Sequence, residues 1–277
     1  MSTTERDDAA YAMGRTEAEA KRLIQQAEGI REFTRRFFLA AGIAPGMRVL
    51  DVGTGAGDGA LLAAEIVGPT GAVVGIDTNA AILDTARERA RAGGHEHVTF
   101  LPGDFRTAVL DGEFDAVIGR YVLMYLGDPA AALRAVLGHV RRGGVAAFQE
   151  YEFSQGSVAY PPCAVFDQGR DWMLRALSVA GVDLSIGFHL PPTFLAAGLP
   201  DPQVSVNTIA LSDPRSEAYD ELANILRSLL PVVVAHGIAT VEEVGVDTFA
   251  ERYRVDALRN QTVVYRTPTI SVWARKP

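Results

Sequence analysis

A single cysteine in 277 residues, Cys163, excludes an intrachain disulfide. Its neighbours in "YPPCAVF" include no basic residue that would hold a thiolate, so Cys163 reads as a packing residue. No stretch offers eighteen uninterrupted apolar residues, and the opening MSTTERDDAA lacks the apolar core of a secretory leader. The chain is therefore expected to be soluble and cytoplasmic, with no membrane partner. Basic charge is thin: the net charge is −8, and the densest basic sites are short pairs such as Arg35-Arg36 and Arg141-Arg142. A phosphate backbone is thus not an expected partner, and a small molecule is. The five histidines show no metal-ligand spacing beyond His95 and His97 in a turn, so no metal is expected.

What is present is enough apolar sequence, 48% hydrophobic against 22% charged, to bury a full core. Thr16 and Glu19 form a capping box ahead of a helical pattern over 16–29, and "REFTRRFFLAAG" predicts a second helix. From there strands alternate with amphipathic helices: 47–53, 71–77, 97–104, 114–120 and 144–153 read as strands, with Asn79 and Asp128-Pro129 opening two of the helices. This rhythm predicts an α/β doubly wound parallel sheet. After residue 153 come an added helix, the strand 201–211, a helical stretch over 214–260 without strand signal, and a closing strand over 265–276. One domain spanning 1–277 is expected: a helical arm (1–45), a core (46–153), and helical insertions at 154–190 and 214–260. These insertions either cover the ligand edge as a lid, or pad the core or form a homodimer face.

The stretch "LDVGTGAGDGALLAAEIV" (50–67) is a Gly-rich loop between strand and helix, a place where a helix N-terminus meets an adenosine cofactor. Gly55 to Ala60 satisfies G-x-G-x-x-A, and Asp77 lies 20 residues beyond Gly57, which by itself suits a nicotinamide dinucleotide. Four features oppose that reading. Asp51 stands two residues before the first glycine, where it would repel a pyrophosphate and suit a cationic amino group. The glycines run Gly53-x-Gly55-x-Gly57, and the first strand begins only after helices. The third strand, moreover, closes in Gly103-Asp104-Phe105.

"VLDVGTGAGDGA", "VVGIDTNAAIL", "VTFLPGDF" and "FDAVIGRYVLMYLGDP", in this order, resemble the successive motifs of class I S-adenosylmethionine-dependent methyltransferases, small-molecule type. The resemblance is strong over 45–153 and looser over the closing strands. It implies a Rossmann-like sheet, mostly parallel with an antiparallel C-terminal strand, and S-adenosylmethionine as cofactor. It further implies that Gly53, Thr54 and Gly55 lie against the methionine part, whose carboxylate sits near the helix starting at Asp58. Asp51 would face its ammonium, Asp77 the ribose, Asp104 and Phe105 the adenine, and Thr78 and Arg120 would join the cofactor set. Tyr11 is the expected aromatic gate of the arm, with Gln26 as a supporting contact.

Residues ending the fourth and fifth strands should face the substrate: Arg120, Tyr121, Met124 and Tyr125, then Gln149, Glu150 and Tyr151. Their aromatic and thioether groups suit an apolar or aromatic metabolite, of secondary metabolism in the simplest reading, methylated at oxygen or nitrogen. Glu150 and His189 are the expected proton acceptors, with Glu150 preferred because a carboxylate rarely ends a buried strand without a partner. The fourth strand ends in Gly119-Arg120-Tyr121 without a carboxylate, which again predicts metal independence. Two other readings stay open: a protein of this fold that catalyses a non-methylating rearrangement, and an NAD(P)-dependent oxidoreductase.

Overall fold

In β1 (Arg48–Val52) the side chains of Val49, Leu50 and Val52 are fully enclosed, and so are Ala116, Val117 and Ile118 of β4 (Phe114–Arg120). Strands buried on both faces need helices above and below, which is what parallel connections provide. The computed structural model describes residues 17–213, 215–216 and 218–277, with side chains from residue 29 onward. Around β1 and β4 lie β2 (Ala72–Asp77), β3 (Val98–Pro102), β5 (Val140–Tyr151), β7 (Gln203–Asn207) and β10 (Thr269–Arg275), in the order β3-β2-β1-β4-β5-β10-β7. Pairs β1–β2, β1–β4, β2–β3 and β4–β5 are parallel. The N–H of Gly143 donates to the Lys276 carbonyl at 2.8 Å, and the N–H of Glu152 donates to that of Pro268 at 2.9 Å. Rising numbers on β5 thus meet falling numbers on β10, so the closing strand is antiparallel.

Helices α1 (Glu17–Ala41), α2 (Asp58–Val67), α3 (Ala80–Ala92), α4 (Pro129–Leu137) and α6 (Ile186–Ala196) belong to the same unit. Two caps are as expected: Asn79 accepts from the N–H of Ala81 at 3.2 Å, and Asp128 from that of Ala131 at 2.8 Å, with Pro129 in the first turn. The two expected N-terminal helices are one, because Ile30, Thr34, Phe37, Phe38 and Ala41 keep one buried stripe in phase past Gly29. The Thr16 capping box lies outside the described residues. β5 begins at Val140 rather than 144, with a register shift opposite Phe114–Ala116 that carries Gly143-Gly144 within the strand.

Residues 151–185 and 207–269 form a second compact unit. It holds α5 (Ala164–Val179), α7 (Ala218–Ala235), the short α8 (Val241–Val244) and α9 (Val246–Arg259). Its core is aromatic: the Tyr253 ring stands edge-on to Tyr219 at 4.8 Å and 5.5 Å from Phe166. A small antiparallel sheet, β6 (Val158–Tyr160), β9 (Val263–Tyr265) and β8 (Ala210–Leu211), belongs to this unit and has no counterpart in the expected element order. The expected strand 201–211 therefore divides between two sheets, and so does 265–276. The break occurs where Thr208 Oγ1 donates to the Arg266 carbonyl at 2.7 Å and the Arg266 N–H to the Ile209 carbonyl at 3.0 Å. Cys163 is buried and its Sγ donates to Asp256 Oδ2 at 3.3 Å; burial pushes the thiol up to about 12, in keeping with an inert packing residue.

Candidate functional site

Because β1, β2 and β4 are parallel and adjacent, their carboxyl ends bring the Gly-rich loop, Asp77 and Arg120 to one edge of the sheet. The loop itself is shaped by its glycines. Gly53 has φ +63, and a Cβ there would lie 2.6 Å from Val122 Cγ2, so the turn closes against the segment after β4 only without a side chain. Gly55 has φ +54 as well, yet a Cβ there would meet nothing within 4 Å: its outer side is open.

Asp51 is 2% exposed and accepts from Thr54 Oγ1 at 2.6 Å and from the N–H of Ala60. Gly59 makes that reach possible, since a Cβ there would sit 3.0 Å from Asp51 Oδ2. Burial pushes the Asp51 carboxyl up to about 7, against the pull of Thr54, the Arg120 charge and the Ala60 amide. Asp58, in the first turn of α2, pairs with Arg89 at 2.7 Å. The N-terminus of α2 is thus already supplied with the protein's own carboxylates.

Asp77, also 2% exposed, accepts from the N–H of Gly55 at 2.9 Å and of Asn79 at 2.8 Å, one to each oxygen. Burial raises its carboxyl above the usual range while the two amides oppose the shift. Each oxygen keeps a lone pair for a further donor. Thr78 follows it, exposed. Asp104 is gripped by Arg106, whose Nε lies 2.9 Å from both carboxylate oxygens and whose Nη2 lies 2.6 Å from Oδ2. Burial would raise Asp104, but the Arg106 hydrogen bonds and charge hold it below the usual carboxylate range. Phe105 is buried.

Sequence reasoning missed Arg106, Arg89 and Val122. The spacing Asp104-x-Arg106 was the available signal for the first. The other two come from α3 and the post-β4 turn, and only the fold brings them to the loop.

The substrate-side expectations need revision. Gln149 is buried between α1 and β10, where its Oε1 accepts from Thr34 Oγ1 and its Nε2 donates to Ser271 Oγ, both at 3.0 Å. It is a structural bridge. Glu150, the expected general base, is fully buried, and its Oε1 accepts from the N–H of Val122 at 3.0 Å and of Leu123 at 2.8 Å. It anchors the turn after β4, as a strand-end carboxylate does when backbone donors need an acceptor. Met124 is core, whereas Tyr121 and Tyr125 are half-buried. Tyr151 is half-buried and packs on Phe153 at 5.2 Å in the second unit. His189 is exposed in the first turn of α6. Tyr11 and the side chain of Gln26 lie outside the described residues.

Among the described residues no group of three or more His, Cys, Asp or Glu side chains comes together, and no helix is long and apolar enough to cross a membrane. The rings of His95 and His97 stand 5.9 Å apart, with His97 Nε2 3.1 Å from the Ala64 carbonyl.

A family model described as a methyltransferase domain matches residues 43–174. The aklanonic acid methyltransferase DauC of Streptomyces sp. strain C5 is 34% identical over 118 residues, 42% of this chain and 54% of that protein. The ubiquinone/menaquinone biosynthesis C-methyltransferase UbiE of Ectopseudomonas mendocina is 35% identical over 119 residues, 42% of this chain and 46% of its own. The match thus spans about half the length of these relatives. Among solved structures, the YcgJ protein from Bacillus subtilis superposes with a TM-score of 0.60 at 19% identity, covering 88% of this chain and 98% of that one, a likeness of fold.

Proposed function

Because the chain belongs to the class I S-adenosylmethionine-dependent methyltransferases, we propose that it transfers a methyl group to an oxygen or nitrogen of a small apolar or aromatic metabolite, without a metal. The observation that carries the reading is the Gly53-Thr54-Gly55 turn: its amide at Gly55 is fixed by Asp77 while its outer side is open, a cradle for an adenosine cofactor with a ribose acceptor at its rim. The residues present fit S-adenosylmethionine. Asp77 has lone pairs for the ribose hydroxyls, Asp51 an anion for an ammonium, and the Gly55 surface room for the methionine part against backbone.

The cofactor supplies a methyl group on a sulfonium, transferred by in-line displacement. The chain's own residues then chiefly hold and orient the acceptor, and orientation contributes up to about 7–11 kcal/mol in favourable intramolecular cases. Every strand-end carboxylate already has an occupation: Asp51 and Asp77 in the cofactor cradle, Asp104 with Arg106, Glu150 with the Val122 and Leu123 amides. This favours an acceptor that arrives unprotonated, such as a phenolate or a neutral amine. Glu150 is then a positioning residue for the turn that carries Tyr121 and Tyr125. The names of the relatives, one for aklanonic acid and one for ubiquinone and menaquinone biosynthesis, support a small organic acceptor. A role in secondary metabolism within the cytoplasm accords with the first of these.

The test is formation of S-adenosylhomocysteine, read by mass spectrometry, when the protein is given S-adenosylmethionine and a panel of phenols and aromatic amines with EDTA present. Turnover in EDTA is the expected result. Turnover that requires added magnesium overturns metal independence, and acceptor conversion without S-adenosylhomocysteine overturns methyl transfer.

A further inference from the structure

Gln149 holds two structures at once, one through its side chain and one through its backbone. Its side chain, on the α1 face of β5, is bonded to Thr34 Oγ1 and Ser271 Oγ at 3.0 Å each, and all three residues are fully buried. Its carbonyl accepts from the N–H of Tyr121 at 2.8 Å, just past the end of β4. Tyr121 needs that hold. It has φ +54, and a non-glycine residue at positive φ is costly and persists only where its surroundings impose it. The next residue, Glu150, fixes the Val122 and Leu123 amides, and Val122 in turn stands against Gly53. Two consecutive residues of β5 therefore set the turn beside the Gly-rich loop.

Helix α1 runs against β5. Thr34 is level with Gln149 near the carboxyl end of that strand, and the Phe37 ring lies 5.9 Å from that of Trp273. Gly42, just past the helix, lies beside Arg275, whose Nη1 donates to the Gly143 carbonyl near the start of β5. The helix is unbroken from Glu17 to Ala41, so the turns before Thr34, about 25 Å of helix, point past the carboxyl edge of the sheet. A buried polar trio loses the water it would otherwise bind, so its net gain in stability over apolar groups of the same shape is small. What it adds is a register, because only one position of α1 along β5 and β10 satisfies Thr34, Gln149 and Ser271 together. We infer that Gln149 is a positioning residue, which fixes the overhanging half of α1 relative to the Tyr121 turn so that a ligand at this edge meets both in one set geometry. What orders the turn then also orders the arm. This rests on the cofactor reading above, which supplies the ligand.

The experiment is amide hydrogen exchange of the full chain with and without saturating S-adenosylhomocysteine. In wild-type protein the ligand is expected to slow exchange in residues 121–125 and in residues 17–33 together. Thr34→Val and Gln149→Met keep the approximate shape of the trio and remove the link to α1, while the Gln149 carbonyl still holds Tyr121. In both variants the slowing of 121–125 should stay within about twofold of wild type, and that of 17–33 should fall at least about fivefold. Thr34→Ser, which keeps the hydroxyl, should retain both effects. Slowing of 17–33 that survives in Thr34→Val and Gln149→Met overturns the inference, and so does wild-type slowing confined to 121–125. Equal loss in both segments, with Thr34→Ser behaving as Thr34→Val, would mean that the trio only fills the core, which overturns it too. Wild-type protein in which S-adenosylhomocysteine slows exchange nowhere would instead overturn the cofactor reading.

Discussion

The carboxyl edge of the large sheet and the interior of the second unit both bury ionisable groups, but they treat them differently. In the second unit Cys163 is pushed up to about 12 and Tyr253 well above its ordinary value, both mainly by burial, so both stay neutral at any pH near 7. Burial there is simply packing: the Tyr253 ring has aromatic neighbours, and Cys163 donates to Asp256. At the sheet edge, burial brings Asp51 to about 7, so that small changes in its surroundings decide its charge. The same desolvation yields an inert core in one place and a responsive carboxyl in the other. The difference lies in the group buried and in what lies beside it: Asp51 has an open cradle at Gly55 and a guanidinium nearby, and Cys163 has neither.

Asp51→Asn should break this contrast most strongly. Below about pH 3.8 Asp51 is neutral in both folded and unfolded chains; as pH rises through about 7, the folded protein loses stability because it must ionise a buried carboxyl that the unfolded chain ionised earlier. Chemical denaturation at pH 8 should therefore find the variant more stable by about 2–4 kcal/mol, a gap that closes toward pH 4. A variant no more stable than wild type at pH 8 would show that Asp51 is not strained by burial.

Asp77→Ala should weaken S-adenosylhomocysteine binding by about 1.5–3 kcal/mol, since it removes a charged hydrogen-bond acceptor and frees the Gly55 amide it holds. Unchanged affinity in a calorimetric titration would remove Asp77 from the site.

Two glycine substitutions sharpen the comparison further. At Gly169 in α5, a Cβ would lie 2.3 Å from Phe249 Cζ, so Gly169→Ala should overpack the second unit and cost about 1–3 kcal/mol of stability, read as a lower melting temperature. At Gly55 the space is open, so Gly55→Ala should cost only about 1–2 kcal/mol of backbone strain while blocking the cradle and lowering cofactor affinity at least tenfold. Affinity that survives Gly55→Ala would place the ligand elsewhere.

The large sheet was legible because strands buried on both faces are continuous apolar runs ending in Gly or Asp; β4 has the bounds its sequence predicts, and β1 and β2 come within one residue. The second sheet was not legible, for its strands are two or three residues long and carry no periodicity of their own. The cradle residues could be read because their types and spacing carry the chemistry. The fate of Glu150 could not: alternation along a strand says that a carboxylate sits at its end, and only the turn after β4 decides that it faces the amides of Val122 and Leu123. The same limit explains Arg106, whose hold on Asp104 depends on how the chain turns after β3.

The most direct test of the account is the affinity for S-adenosylhomocysteine between pH 5.5 and 8.5, in wild type and in Asp51→Asn. If Asp51 must be ionised to face the ligand's ammonium, wild-type affinity is level above about pH 7 and falls toward tenfold per pH unit below it, while the variant binds more weakly with a flat profile. A wild-type profile that is flat across this range, or one that Asp51→Asn reproduces unchanged, would contradict the assignment of Asp51 as the group that faces the ligand's ammonium.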